Sequence, residues 1–158
     1  MPLVDLSELI EMAVKDEETG IVFYKALAEV ARNPAVKDGM LAIAAQEQGQ
    51  LAWFQKMLDD IGQYQPVEED PGEYEEYLWA LLKSRAFPKP EDAAAKAHSA
   101  ETDAAGIEMA IKLEHDTLEF LEDMRRFVGP ERSTYVDVII EEEREHLVAL
   151  TRLKETVT

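Results

Sequence analysis

A carboxylate and an imidazole three residues apart, Glu143 and His146, form the pair in this sequence best suited to hold a metal ion, because positions i and i+3 stand on one face of a helix. Val136, Ile139, Ile140, Leu147, Leu150 and Leu153 recur around them at three-and-four spacing, which points both groups toward a core. A bare carboxylate in a protein interior costs on the order of several kcal/mol even after relaxation, so a Glu written into an apolar stripe requires a cation or a proton. Alone, Glu-x-x-His is a weak signal, and the run Glu141 to Arg144 would serve equally as a solvated face. Repetition strengthens it. Three further stripes each centre one Glu: Ile10, Ala13, Val14, Glu17, Ile21 and Tyr24; Ile43, Ala44, Glu47, Leu51 and Phe54; Ile107, Ile111, Glu114, Leu118 and Leu121.

These stripes define the elements that must position the four carboxylates. Asp5 or Ser7 caps a first helix over about 6–32, Asn33-Pro34 punctuates it, and a second helix over 34–61 ends at Gly62. A third helix over 103–128 stops at Gly129-Pro130, and a fourth continues over 130–155. Between the pairs, Pro66, Pro71-Gly72 and Pro88-Lys89-Pro90 break a crossover over 63–102. Tyr74, Tyr77, Leu78, Leu81 and Leu82 predict a short helix within it, with another turn or two in Glu91 to Ala97. The expectation is an all-α bundle of two antiparallel helical hairpins in one domain, 1–158. The halves repeat: Ala13-Val14-Lys15-Asp16-Glu17 matches Ala110-Ile111-Lys112-Leu113-Glu114, and Glu17 to Glu47 spans 30 residues where Glu114 to Glu143 spans 29.

Composition narrows the function. A formal charge of −18, from 34 acidic and 16 basic residues, argues against nucleic acid and anionic membranes, whose binding relies on Lys and Arg, and favours attraction of divalent cations. With no cysteine in the sequence, disulfides, thiol catalysis, Cys-ligated zinc and a rubredoxin-type iron centre are excluded within it. No segment approaches the roughly 20 apolar residues of a membrane span, and the N-terminus lacks a basic region followed by an apolar run, so a cytoplasmic location is expected. The crossover gathers Tyr74, Tyr77, Leu78, Trp79, Leu81, Leu82 and Phe87, more apolar surface than one short helix need bury on its own bundle, which predicts a homodimer.

Glu17 with Tyr24 seven residues on, Glu47, Glu114, and Glu143 with His146 together resemble the ferritin-like di-iron carboxylate proteins, most closely their rubrerythrin-like branch. In that family one Glu from each of two helices and a Glu-x-x-His from each of the other two surround a metal pair in a four-helix bundle. The resemblance implies a ferritin-like four-helix bundle and two divalent metal ions, iron first, with manganese or zinc as alternatives. It implies Glu47 and Glu143 as bridging carboxylates, Glu17 and Glu114 as terminal ones, and His146 as a terminal imidazole. One position departs from the pattern: three residues after Glu47, where the family places His, stands Gln50. An amide oxygen is a weaker, neutral donor than imidazole, so the second metal position is expected to be weak or empty.

Other residues read differently. Glu18 falls off the stripe and is expected in solvent. Tyr24 is expected to pack in the core with its hydroxyl on a neighbouring carboxylate, as a support to the site. His98 reads as a surface histidine, and His115 lies about 100° round the helix from Glu114, outside the metal's reach. Trp53, Trp79, Phe54 and the methionines read as packing. Two function classes follow. One is an oxidoreductase acting on peroxide or dioxygen, which without cysteine would need a separate electron-donor protein. The other is a non-enzymatic metal-binding or interaction bundle in which Gln50 marks a degenerate site.

Overall fold

In the computed structural model of the chain, residues 6–61, 80, 88–128 and 130–158 are described. Among them the protein is all-α: α1 (Leu6–Val30), α2 (Pro34–Ile61), α3 (Pro90–His98), α4 (Asp103–Phe127) and α5 (Pro130–Val157). The predicted helix around Tyr74 to Leu82, with the apolar surface from which a dimer was expected, lies outside the described residues apart from residue 80. The turn or two expected in Glu91 to Ala97 is a full helix, α3, started by Pro90 in its first turn.

Helix starts follow local chemistry. Asn33 accepts from the Ala35 N–H at 2.8 Å ahead of Pro34, and Thr102 accepts from the Ala105 N–H at 3.0 Å ahead of α4. The first helix ends at Val30, two residues short of expectation, because the Asp103 carboxylate takes the N–H groups of Arg32 and Asn33 at 2.9 and 2.8 Å. Those N–H groups therefore point across to the other hairpin. The last helix runs two residues past Glu155, where Val157 packs against the core.

Helices α1 and α2 pair, as do α4 and α5, and the two hairpins meet through α1 on α4 and α2 on α5. Helix α3 lies along α1. Ala93 and Ala97 are buried in the same cluster as Ala26 and Ala28 and let the helices approach closely, while Thr19 donates to the Pro88 carbonyl at 3.0 Å and His98 pairs with Glu29 at 2.9 Å. The core has two apolar ends. One holds Leu9, Ile10, Phe54, Met57, Leu121, Met124, Val136 and Ile139; the other holds Tyr24, Leu27, Met40, Ile43, Ile107 and Leu150. Each end combines the opposite termini of adjacent helices, so the layer between them falls at mid-bundle, where Glu17, Glu47, Glu114 and Glu143 project. Trp53 does not join this core. It is 45% exposed and stacks on Tyr135 on the outer surface, with ring centroids 5.2 Å apart, because the neighbouring Phe54 takes the inward position. No helix among the described residues is long and apolar enough to cross a membrane.

Candidate metal centre

All six residues singled out from the sequence as metal ligands are buried: Glu17, Glu47, Gln50, Glu114, Glu143 and His146 are each at most 4% exposed. Glu18 is exposed, so the stripe through Ile10 and Ile21 selects Glu17. Glu47, Glu114, Glu143 and His146 each offer a ligand atom within 4.8 Å of the other three, a spacing that could hold a metal ion. Glu17 stands beside this group of four rather than in it, close enough to Glu47 for the two carboxyls to share a proton. His115 and His98 are exposed, as expected.

Electrostatics explain why the centre demands a cation. Burial, then the charges and hydrogen bond of Glu47, hold Glu17 well above the usual carboxylate range. Burial also raises Glu47, partly countered by its hydrogen bond from Glu17. Burial and the neighbouring Glu114 push Glu143 up to about 8. His146 Nδ1 lies 3.5 Å from Glu114 and 3.6 Å from both Glu47 and Glu143. Burial alone would lower its pKa, but the three carboxylates outweigh that and raise it to about 12. Without metal, the imidazolium and shared protons stand in for the missing positive charge.

The unsatisfied atoms fit a metal. Glu17 Oε2, Glu114 Oε2, both Glu143 oxygens, Gln50 Oε1 and His146 Nδ1 are buried without a hydrogen-bond partner. Six such atoms in one layer would each carry a desolvation penalty of about 1–3 kcal/mol, which coordination to cations would relieve. The donor set of carboxylates with one imidazole suits iron, manganese and zinc. Tyr24, fully buried, donates its hydroxyl to Glu114 Oε1 at 2.5 Å, the carboxylate contact expected of it. Burial, then the charges of Glu114 and Glu47, raise the Tyr24 pKa, so its hydroxyl keeps its proton.

Two supporting residues were not foreseen. Gln46 Oε1 accepts from His146 Nε2, leaving Nδ1 as the atom turned to the carboxylates. Glu142 Oε2 accepts from Gln50 Nε2 at 3.0 Å. Each sits one residue before a buried Glu, off the apolar stripe, and supports a residue of the opposite hairpin; the only signal in the sequence is the matching register of the two halves. A third pair, Asp16 and Thr117, lies buried nearby, with the threonine hydroxyl donating at 2.8 Å.

An antiparallel helical bundle with a buried carboxylate and histidine layer at its centre defines the ferritin-like class of proteins. Within it, the rubrerythrin family model matches residues 8–154, and the chain belongs to that family. No curated protein matches. Among solved structures, a hypothetical protein from Pyrococcus furiosus is similar at 23% identity with a TM-score of 0.72, over 97% of this chain and 90% of that one, which extends the likeness of fold to nearly the whole length.

Proposed function

We propose that the chain binds a pair of divalent metal ions, iron in the first instance, and uses them to reduce peroxide or dioxygen with electrons from a separate donor protein. The observation that carries this reading is the convergence of Glu47, Glu114, Glu143 and His146 within 4.8 Å in a buried layer rich in unsatisfied polar atoms. His146 Nδ1 and the carboxylates of Glu47, Glu114 and Glu143 would hold one ion, with Glu17 and Gln50 completing the second position. A bound iron pair would supply the two electrons that reduction of one peroxide to two waters consumes. The protein's own contribution is to bring the ligands together, exclude bulk water with the two apolar ends of the core, and keep a proton on Tyr24 beside Glu114. With no cysteine in this sequence the electrons would come from outside it, and the apolar run Tyr74, Tyr77, Leu78, Trp79, Leu81, Leu82 and Phe87 in the crossover supports a homodimer, which would sediment at twice the 17.9 kDa of one chain.

A second reading keeps the metal and drops the catalysis. It is favoured by Gln50, whose amide stands where its counterpart in the other half is an imidazole. Anaerobic titration with ferrous iron, elemental analysis and then addition of peroxide separate the two. Two irons per chain, with ferric absorption appearing on addition of stoichiometric peroxide, support the oxidoreductase. Stable metal that peroxide does not oxidise supports the holding protein, and a chain purified and reconstituted without bound metal defeats both.

A further inference from the structure

Building on the metal-binding reading, we infer that Glu142 is a positioning residue that fixes Gln50 with its amide oxygen turned to the metal layer, so that Gln50 acts as a ligand in place of an imidazole. Gln50 is 1% exposed, and its two polar ends are treated differently: Nε2 donates to Glu142 at 3.0 Å, whereas Oε1 is buried without a partner. This orientation keeps the amide oxygen away from the Glu142 carboxylate. Turning the amide over would set its oxygen against the Glu142 carboxylate and break the bond between Nε2 and Glu142. Because Gln50 lies three residues after Glu47 on one helix face, the oxygen held inward belongs to the layer that Glu47 enters.

The two halves of the bundle support this assignment. His146 is held through Nε2 by Gln46, leaving Nδ1 inward; Gln50 is held through Nε2 by Glu142, leaving Oε1 inward. Gln46 precedes Glu47 as Glu142 precedes Glu143, so each supporting residue sits at the same register and reaches across to the other hairpin's ligand. The pairing also compensates in charge. The strong imidazole donor is backed by a neutral amide, while the weak amide donor is backed by a carboxylate, whose pull on the N–H group shifts electron density toward the amide oxygen. The asymmetry of the sequence is thus a matched pair of ligand and support in each half.

Cobalt(II), whose visible bands report its ligands, is the probe, titrated into metal-free protein. Wild type is expected to bind two ions per chain. Glu142→Ala should weaken one position about 10-fold or more and change its bands, leaving the other position and the melting temperature of the metal-free protein nearly unaltered. Glu142→Gln, which keeps an oxygen to accept the Gln50 N–H group, should recover most of the loss. Gln50→Ala should weaken the same position, and adding Glu142→Ala to it should cost nothing more. Two bound ions with affinities and bands unmoved by Glu142→Ala would overturn the inference and leave the metal site standing. An equal loss from Glu142→Ala with and without Gln50 would overturn it too, by showing Glu142 to act as a bulk charge. No cobalt bound by wild type would overturn the metal-site reading and this inference with it.

Discussion

A glycine inside a helix costs about 1 kcal/mol relative to alanine, so Gly20, in the middle of the 25-residue α1, needs a reason. The reason is Glu47. A methyl group on Gly20 would lie 2.9 Å from Glu47 Oε2 and 3.4 Å from its Cδ, so only glycine lets that carboxylate seat against α1 beside Glu17. Gly20→Ala should therefore gain nothing in metal-free stability, the helix propensity being offset by displacement of Glu47, and should weaken divalent-metal binding about 10-fold. Melting in chelator and a cobalt titration check this; a variant that melts higher and binds metal as before would show that Glu47 has room to spare. The same scale shows what the sequence could reveal. Glu17, Glu47, Glu114, Glu143 and His146 were legible as buried groups because a charged residue in an apolar stripe violates the pattern around it. Gln46 and Glu142 were not, since polar residues beside the stripe look like any solvated pair until the two hairpins are brought together.

Elements were legible where their chemistry is local. Asn33-Pro34 marks the start of α2 by a cap and a first-turn proline, and the stripes give the inward faces. The end of α1 was not legible, because it depends on Asp103, about seventy residues away, whose carboxylate takes two backbone N–H groups of the α1–α2 turn. Nor was the outward setting of Trp53, where an apolar side chain caps Tyr135 instead of filling the core. Asp103 has a measurable consequence. It joins the turn of the first hairpin to the start of the second, and charge-assisted bonds of this kind, partly exposed, are worth about 1–2 kcal/mol together. Asp103→Ala should lower unfolding stability by that amount with Asp103→Asn intermediate, measured by urea denaturation. Unchanged midpoints in both variants would mean that water replaces the carboxylate without loss.

For the molecule as a whole, the buried centre couples stability to pH in a direction opposite to ordinary acid denaturation. A carboxyl raised from 4.5 to about 8, as Glu143 is, binds more protons folded than unfolded between those values, so the folded state loses stability as pH rises through that window. Glu17 and Glu47, also raised by burial, act in the same sense. His146, raised from 6.5 to about 12, contributes stability that is complete below 6.5 and declines as pH rises toward 12. Metal displaces these same protons, and its affinity grows as they become easier to remove. The chelator-treated protein should therefore melt at a lower temperature at pH 8 than at pH 5.5, while the increase in melting temperature on saturation with cobalt should be larger at pH 8. Differential scanning calorimetry at the two pH values, with chelator and with metal, measures both. A metal-free protein that grows more stable across this window would mean that the carboxylates of the central layer are ionised without a cation, contrary to the electrostatics of four such groups buried together.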